Sequence, residues 1–147
     1  MSPYPAPLQE AIETFALLDD PADRVDLLLS YAERFREVPP QIATRPFPKE
    51  QRVPACESEA YVWAVPQSNG TLALYFAVEN PAGVSAKALA AILEQTLSGL
   101  PPEEIERVPP DLIYDLFRQN ISMGKGMGLM AMVQAVCALA RHAARRG

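Results

Sequence analysis

Apolar residues recur at Leu8, Ala11, Ile12, Phe15 and Leu18, the three-and-four spacing of one helix face. Asp19-Asp20-Pro21 then stops that helix and caps a second, predicted from about Pro21 to Phe35. Its stripe of Val25, Leu28, Leu29, Ala32 and Phe35 is expected to face the core, with Asp23, Arg24, Glu33 and Arg34 outside it. From Val38 to Pro54 the pattern is lost. Pro39, Pro40, Pro46, Pro48 and Pro54 remove amide donors and restrict their predecessors, so this stretch reads as an extended surface loop. Such a long irregular segment either wraps the fold or serves a site, and this one leads directly to Cys56.

Strand formers follow in Tyr61 to Val65 and Thr71 to Val78, joined by the turn signal Ser68-Asn69-Gly70, which together predict a hairpin. After Asn80-Pro81-Ala82-Gly83 the chain predicts a helix over Val84 to Leu97, ended by Gly99. Short helices are expected from Pro101-Pro102 and from Pro110 to Phe117. Glycines 124, 126 and 128 interrupt the pattern before Leu129, Met132, Val133, Val136, Cys137 and Ala140 mark a last long helix. Its basic end, Arg141 to Arg146, suits the negative pole of a helix.

Composition narrows the class. A chain of 147 residues with 49% hydrophobic side chains suits one domain spanning 1–147. A net charge of −5 with a pI near 4.9 argues against nucleic acid or anionic membrane as partner, since both require clustered basic surface. A protein or a small molecule fits better. No apolar run approaches the roughly 20 residues of a bilayer span, and Met1 to Pro5 lacks the basic and apolar regions of a signal peptide, so the expected location is cytoplasmic.

The two cysteines, Cys56 and Cys137, form no local disulfide framework, and with His142 as the single histidine the soft ligands are too few for a structural zinc site. Cys137 lies on the apolar stripe of the last helix, where cysteine serves as a small hydrophobe. Cys56 lies in the polar, proline-marked run Arg52-Val53-Pro54-Ala55-Cys56-Glu57-Ser58-Glu59, outside any apolar stripe. A reactive thiol and an incidental loop cysteine are equal readings of that placement alone. Arg52 favours its thiolate, and Glu57 and Glu59 oppose it. Met123-Gly124-Lys125-Gly126-Met127-Gly128 lacks the upstream glycine and the Ser or Thr of a phosphate loop, and reads as a turn or the start of a helix. Lys125 remains a candidate contact for an anion or the active thiol. Met123, Met127, Met130 and Met132 read as packing residues.

The run from Arg52 to Val62 resembles the SufE family, whose hallmark is V-x-G-C-x-S-x-V-[WY]. Val53, Cys56, Ser58 and Tyr61 fit, while Ala55 replaces the usual glycine and Ala60 the usual valine. The similarity continues through the hairpin, the helix with Lys87, Leu97 to Ile105 and the last helix. It departs at Glu79-Asn80-Pro81-Ala82, where the family has an acidic G-D-S-D-like loop, and at Ile121 to Lys125, where it has L-T-P-S-R.

The resemblance implies an α+β fold of the SufE/IscU-like kind, a small antiparallel sheet packed against several helices. It implies that Cys56, at a loop tip, accepts persulfide sulfur from a SufS-type cysteine desulfurase, stimulates its turnover and passes sulfur to an Fe–S scaffold complex. Arg52, Glu57, Ser58 and Lys125 are then the residues that tune the site or the partner contact. Pyridoxal phosphate belongs to the desulfurase, and no cofactor or metal is expected on this chain. The alternative is a regulatory binding partner of the desulfurase that transfers nothing. A cluster scaffold ranks last, because Cys56 stands alone in its loop and a cluster requires several thiolates.

Overall fold

A computed structural model describes residues 3–118 and 121–146. Two helices, α1 (Ala6–Ala16) and α2 (Pro21–Glu33), precede a long irregular segment containing one 3₁₀ turn at Lys49–Gln51. The hairpin of β1 (Ala60–Pro66) and β2 (Leu72–Val78) follows, then α3 (Val84–Leu97), α4 (Pro102–Ile105), α5 (Leu112–Phe117) and α6 (Met123–Arg146). The architecture is α+β. The strands pair antiparallel with Val62 opposite Phe76 and Trp63 opposite Tyr75. Asp20 caps α2 as its spacing predicts, accepting from the Ala22 amide at 2.9 Å.

The hairpin alternates with period two, and both of its faces are covered. Ala60, Val62, Leu72, Leu74, Phe76 and Val78 turn inward to a core shared with Leu89, Leu93, Met132 and Val136 of α3 and α6. Tyr61, Trp63, Tyr75 and Ala77 turn outward, where Val38, Ile42, Ala43 and Phe47 of the proline-rich segment pack over them. The Phe47 ring meets those of Tyr61 and Trp63, each at 5.2 Å between centroids. The segment therefore wraps the fold, and Arg45 pins it by pairing with Glu37 and, at 2.9 Å, with Glu79.

Two sequence expectations change. In α2, Leu28 is buried, but Val25 and Leu29 are 40% and 43% exposed, while Arg24 is only 3% exposed. Its guanidinium donates to the carbonyls of Phe15, Asp115 and Leu116. Those oxygens lie in the last turns of α1 and α5, where helix carbonyls run short of intrahelical donors, so one buried cation ties two helix ends together, and the Phe15 carbonyl also accepts from the Leu18 amide at 3.1 Å. Secondly, α6 begins at Met123 and contains all three glycines. Ser122 starts it, accepting from the Lys125 amide at 3.3 Å. Gly126 lies against Ile113, Tyr114 and Ile121, and Gly128 against the Cys56 loop, so these two glycines serve close packing. The full helix reaches 24 residues and is long and apolar enough to cross a membrane, yet its stripe from Leu129 to Ala140 is buried against the rest of the chain. Among its methionines Met132 is buried, whereas Met123 and Met127 are 84% and 63% exposed and do not pack.

Candidate functional site

Arg52 bridges to Tyr61, and the Val53 amide donates to the Ala60 carbonyl at 2.8 Å, so the sheet ladder continues briefly beyond β1. The chain then loops through Pro54 to Glu59 and returns, with the Glu59 amide bonded to the Cys56 carbonyl at 3.1 Å. Ala55 and Glu59, on either side of Cys56, have φ of 58° and 52°. This is the left-handed region that side chains other than glycine disfavour.

Residues after β2 clamp the loop from outside. The Glu79 amide donates to the Glu59 carbonyl and the Asn80 amide to the Ser58 carbonyl, both at 3.1 Å. The Asn80 side chain donates through Nδ2 to the Glu57 carbonyl at 3.2 Å and accepts through Oδ1 from the Ala82 amide at 2.9 Å. Gly83 must be glycine for steric reasons, because a Cβ there would lie 2.9 Å from Val78 Cγ1 and 3.1 Å from Ser58 Cβ.

Cys56 is not the exposed loop thiol that its polar neighbours suggest. It is 6% exposed and belongs to the main core cluster. Its Sγ forms no hydrogen bond among the described residues, and it borders a cavity of about 220 Å³. Glu57, Ser58, Asn80, Ser85, Lys125 and Gly128 line the same cavity. The loop, the start of α3 and the start of α6 thus converge on one thiol.

Of the site residues expected from sequence, Cys56, Glu57, Ser58 and Lys125 come together, and Arg52 does not line the cavity. Asn80, Gly83 and Ser85 were missed. The Asn-Pro-Ala-Gly break carried the signal, since Asn before a helix commonly bonds backbone two residues on, but nothing along the chain indicated that it would also reach the Cys56 loop. Cys137 lies apart as a buried thiol that donates to the carbonyls of Val108 at 3.2 Å and Ile105 at 3.5 Å. Burial pushes its pKa up to about 11, with the Arg141 charge opposing. That environment makes it inert. No group of three or more His, Cys, Asp or Glu positioned to hold a metal occurs among the described residues.

The family model of SufE, the Fe-S metabolism associated domain, matches residues 9–140. The chain belongs to the SufE family. A curated relative, the SufE-like protein 1, chloroplastic/mitochondrial, of Arabidopsis thaliana, is 30% identical over 144 residues, which is 97% of this chain. The chain spans 37% of that relative's length. The solution structure of a hypothetical protein from Thermus thermophilus superposes with a TM-score of 0.78 at 28% identity, covering 97% of this chain and 98% of the other. The SufE membership agrees with the α+β architecture and with a role in Fe–S metabolism.

Proposed function

We propose that this SufE protein carries sulfur as a persulfide on Cys56, taking it from a SufS-type cysteine desulfurase and delivering it to an Fe–S scaffold complex. The observation that carries the reading is the unpartnered Cys56 sulfur beside a cavity of about 220 Å³, with room for one further sulfur atom. The desulfurase, with its pyridoxal phosphate, supplies sulfur as a persulfide on its own cysteine. The Cys56 thiolate attacks the terminal sulfur, the new S–S bond forms as the old one breaks, and the desulfurase thiolate leaves. No net oxidation occurs, and no further reagent is required.

Burial of Cys56 requires the loop from Pro54 to Glu59 to swing outward to meet a protein partner, which releases the clamp from Glu79 and Asn80. Returning it encloses the loaded sulfur and shields it from adventitious thiols. The test is mass spectrometry of intact protein and peptides after incubation with a cysteine desulfurase and cysteine, without reductant. A gain of one sulfur on the Cys56 peptide, lost in Cys56→Ser, is the expected result. If Cys56→Ser binds and stimulates the desulfurase as wild type does, and wild type gains no sulfur, the chain is a regulatory partner instead.

A further inference from the structure

Helix α3 begins without a side-chain cap, its N-cap residue being Gly83. The Val84 amide donates to Ala82 and the Lys87 amide to Gly83. The amides of Ser85 and Ala86 find no acceptor among the described residues, although Ala86 is only 1% exposed. Buried donors of this kind are nearly always satisfied. The usual remedy, Ser, Thr or Asp at the N-cap, is excluded because any Cβ at position 83 collides with Val78 and Ser58. At α6, by contrast, Ser122 supplies the cap.

Ser85 and Ala86 line the same cavity as Cys56, whose Sγ is also unpartnered and whose residue is only 6% exposed. Lys125 enters that lining from α6 and has no ion-pair partner among the described residues. Among the described residues Glu57 is the one acidic residue in that lining. Orphan amides and the positive pole of a 14-residue helix therefore border the same cavity as a sulfur nucleophile, with the exposed Lys125 in its lining.

We infer that this cavity is an anion receptor, in which the Ser85 and Ala86 amides together with Lys125 hold a small anion next to Cys56 Sγ. The natural occupant, resting on the sulfur-carrier reading, is the terminal sulfur of the Cys56 persulfide in its deprotonated form. Holding it as the anion keeps it nucleophilic toward the recipient, while burial keeps it from solvent thiols.

Charge-selective alkylation tests this on the full chain without any desulfurase. Rates of Cys56 modification by iodoacetate and by neutral iodoacetamide are compared by peptide mass spectrometry, with glutathione as the reference thiol. Salt at about 0.15 M screens the net negative charge of the protein. The receptor predicts an iodoacetate-to-iodoacetamide rate ratio about fivefold above that of glutathione. Ser85→Asp, which places a competing carboxylate in the first turn and suits the helix, is expected to bring the ratio to the reference or below without lowering Tm. Lys125→Gln is expected to lower it about threefold. A wild-type ratio equal to that of glutathione, or a raised ratio that neither variant changes, overturns the receptor. A flat ratio with normal sulfur gain at Cys56 removes the receptor alone, and a raised ratio with no sulfur gain removes the carrier reading while leaving the anion site.

Discussion

Ala55 has a φ of 58° at a position where the SufE hallmark has glycine. An L-residue in this region costs about 1 kcal/mol relative to glycine, so the closed loop is held under load by its own sequence. Ala55→Gly is expected to stabilise the fold by about 1 kcal/mol, read as a higher urea midpoint at unchanged slope. An unchanged midpoint would mean that the backbone relaxes around alanine. Asn80 works in the opposite sense, holding the loop closed through bonds to Glu57 and Ala82. Asn80→Ala removes both, each worth about 1 kcal/mol, and is expected to speed Cys56 alkylation by iodoacetamide about fivefold or more while lowering Tm by roughly 4–8 °C. Equal rates would show that the clamp does not limit access. The hallmark residues Val53, Cys56, Ser58 and Tyr61 made the thiol legible in sequence. Its burial was not legible, because the groups that cover it come from segments 24 and 72 positions later, at Asn80 and Gly128.

At the scale of elements, α1, the hairpin and α3 follow their hydrophobic periods closely, since each buries a continuous face against another element. Helix α2 departs because tertiary demand overrode its stripe. Two helix ends present carbonyls at its side, and the residue able to reach Phe15, Asp115 and Leu116 together is Arg24. Burial and the nearby Arg118 charge push its pKa down, so removal of the carbonyls would leave the cation poorly placed. Arg24→Met keeps the packing stem and strips the guanidinium from three carbonyls, and is expected to destabilise by roughly 1–3 kcal/mol in urea unfolding. A loss below about 0.5 kcal/mol would mean that water satisfies those carbonyls. Helix α6 departs for a related reason. Glycine is a poor helix former in isolation, but Gly126 and Gly128 allow α5 and the Cys56 loop to approach its backbone, and that packing carries the helix through them.

For the molecule as a whole, Cys137 ties stability to pH. Its thiol titrates near 9.0 when unfolded and is raised to about 11 by burial. Between these values the unfolded chain binds fewer protons, so stability is full below about pH 9 and falls as pH rises toward 11. The loss is on the order of 2 kcal/mol. Tyr4, raised by burial and by its bond to Asp115, adds a loss of the same sign at higher pH. Urea unfolding from about pH 8 to 10.5 is expected to show this decline in wild type and a shallower one in Cys137→Ala. Equal slopes would assign the decline to other groups.

Linear pattern was enough to set the order and type of most elements, the inert character of Cys137 and the cysteine proposed to carry sulfur. These are local properties, fixed by periodicity, turn chemistry and a short motif read along the chain. Folding in three dimensions was needed to enclose Cys56, to bring Asn80 and Gly83 against its loop, to set Lys125 in the lining of its cavity while leaving Arg52 aside, and to present the uncapped amides of α3 to the same cavity. Each of these depends on groups distant in sequence meeting at one point, and no pattern along a single element encodes that meeting.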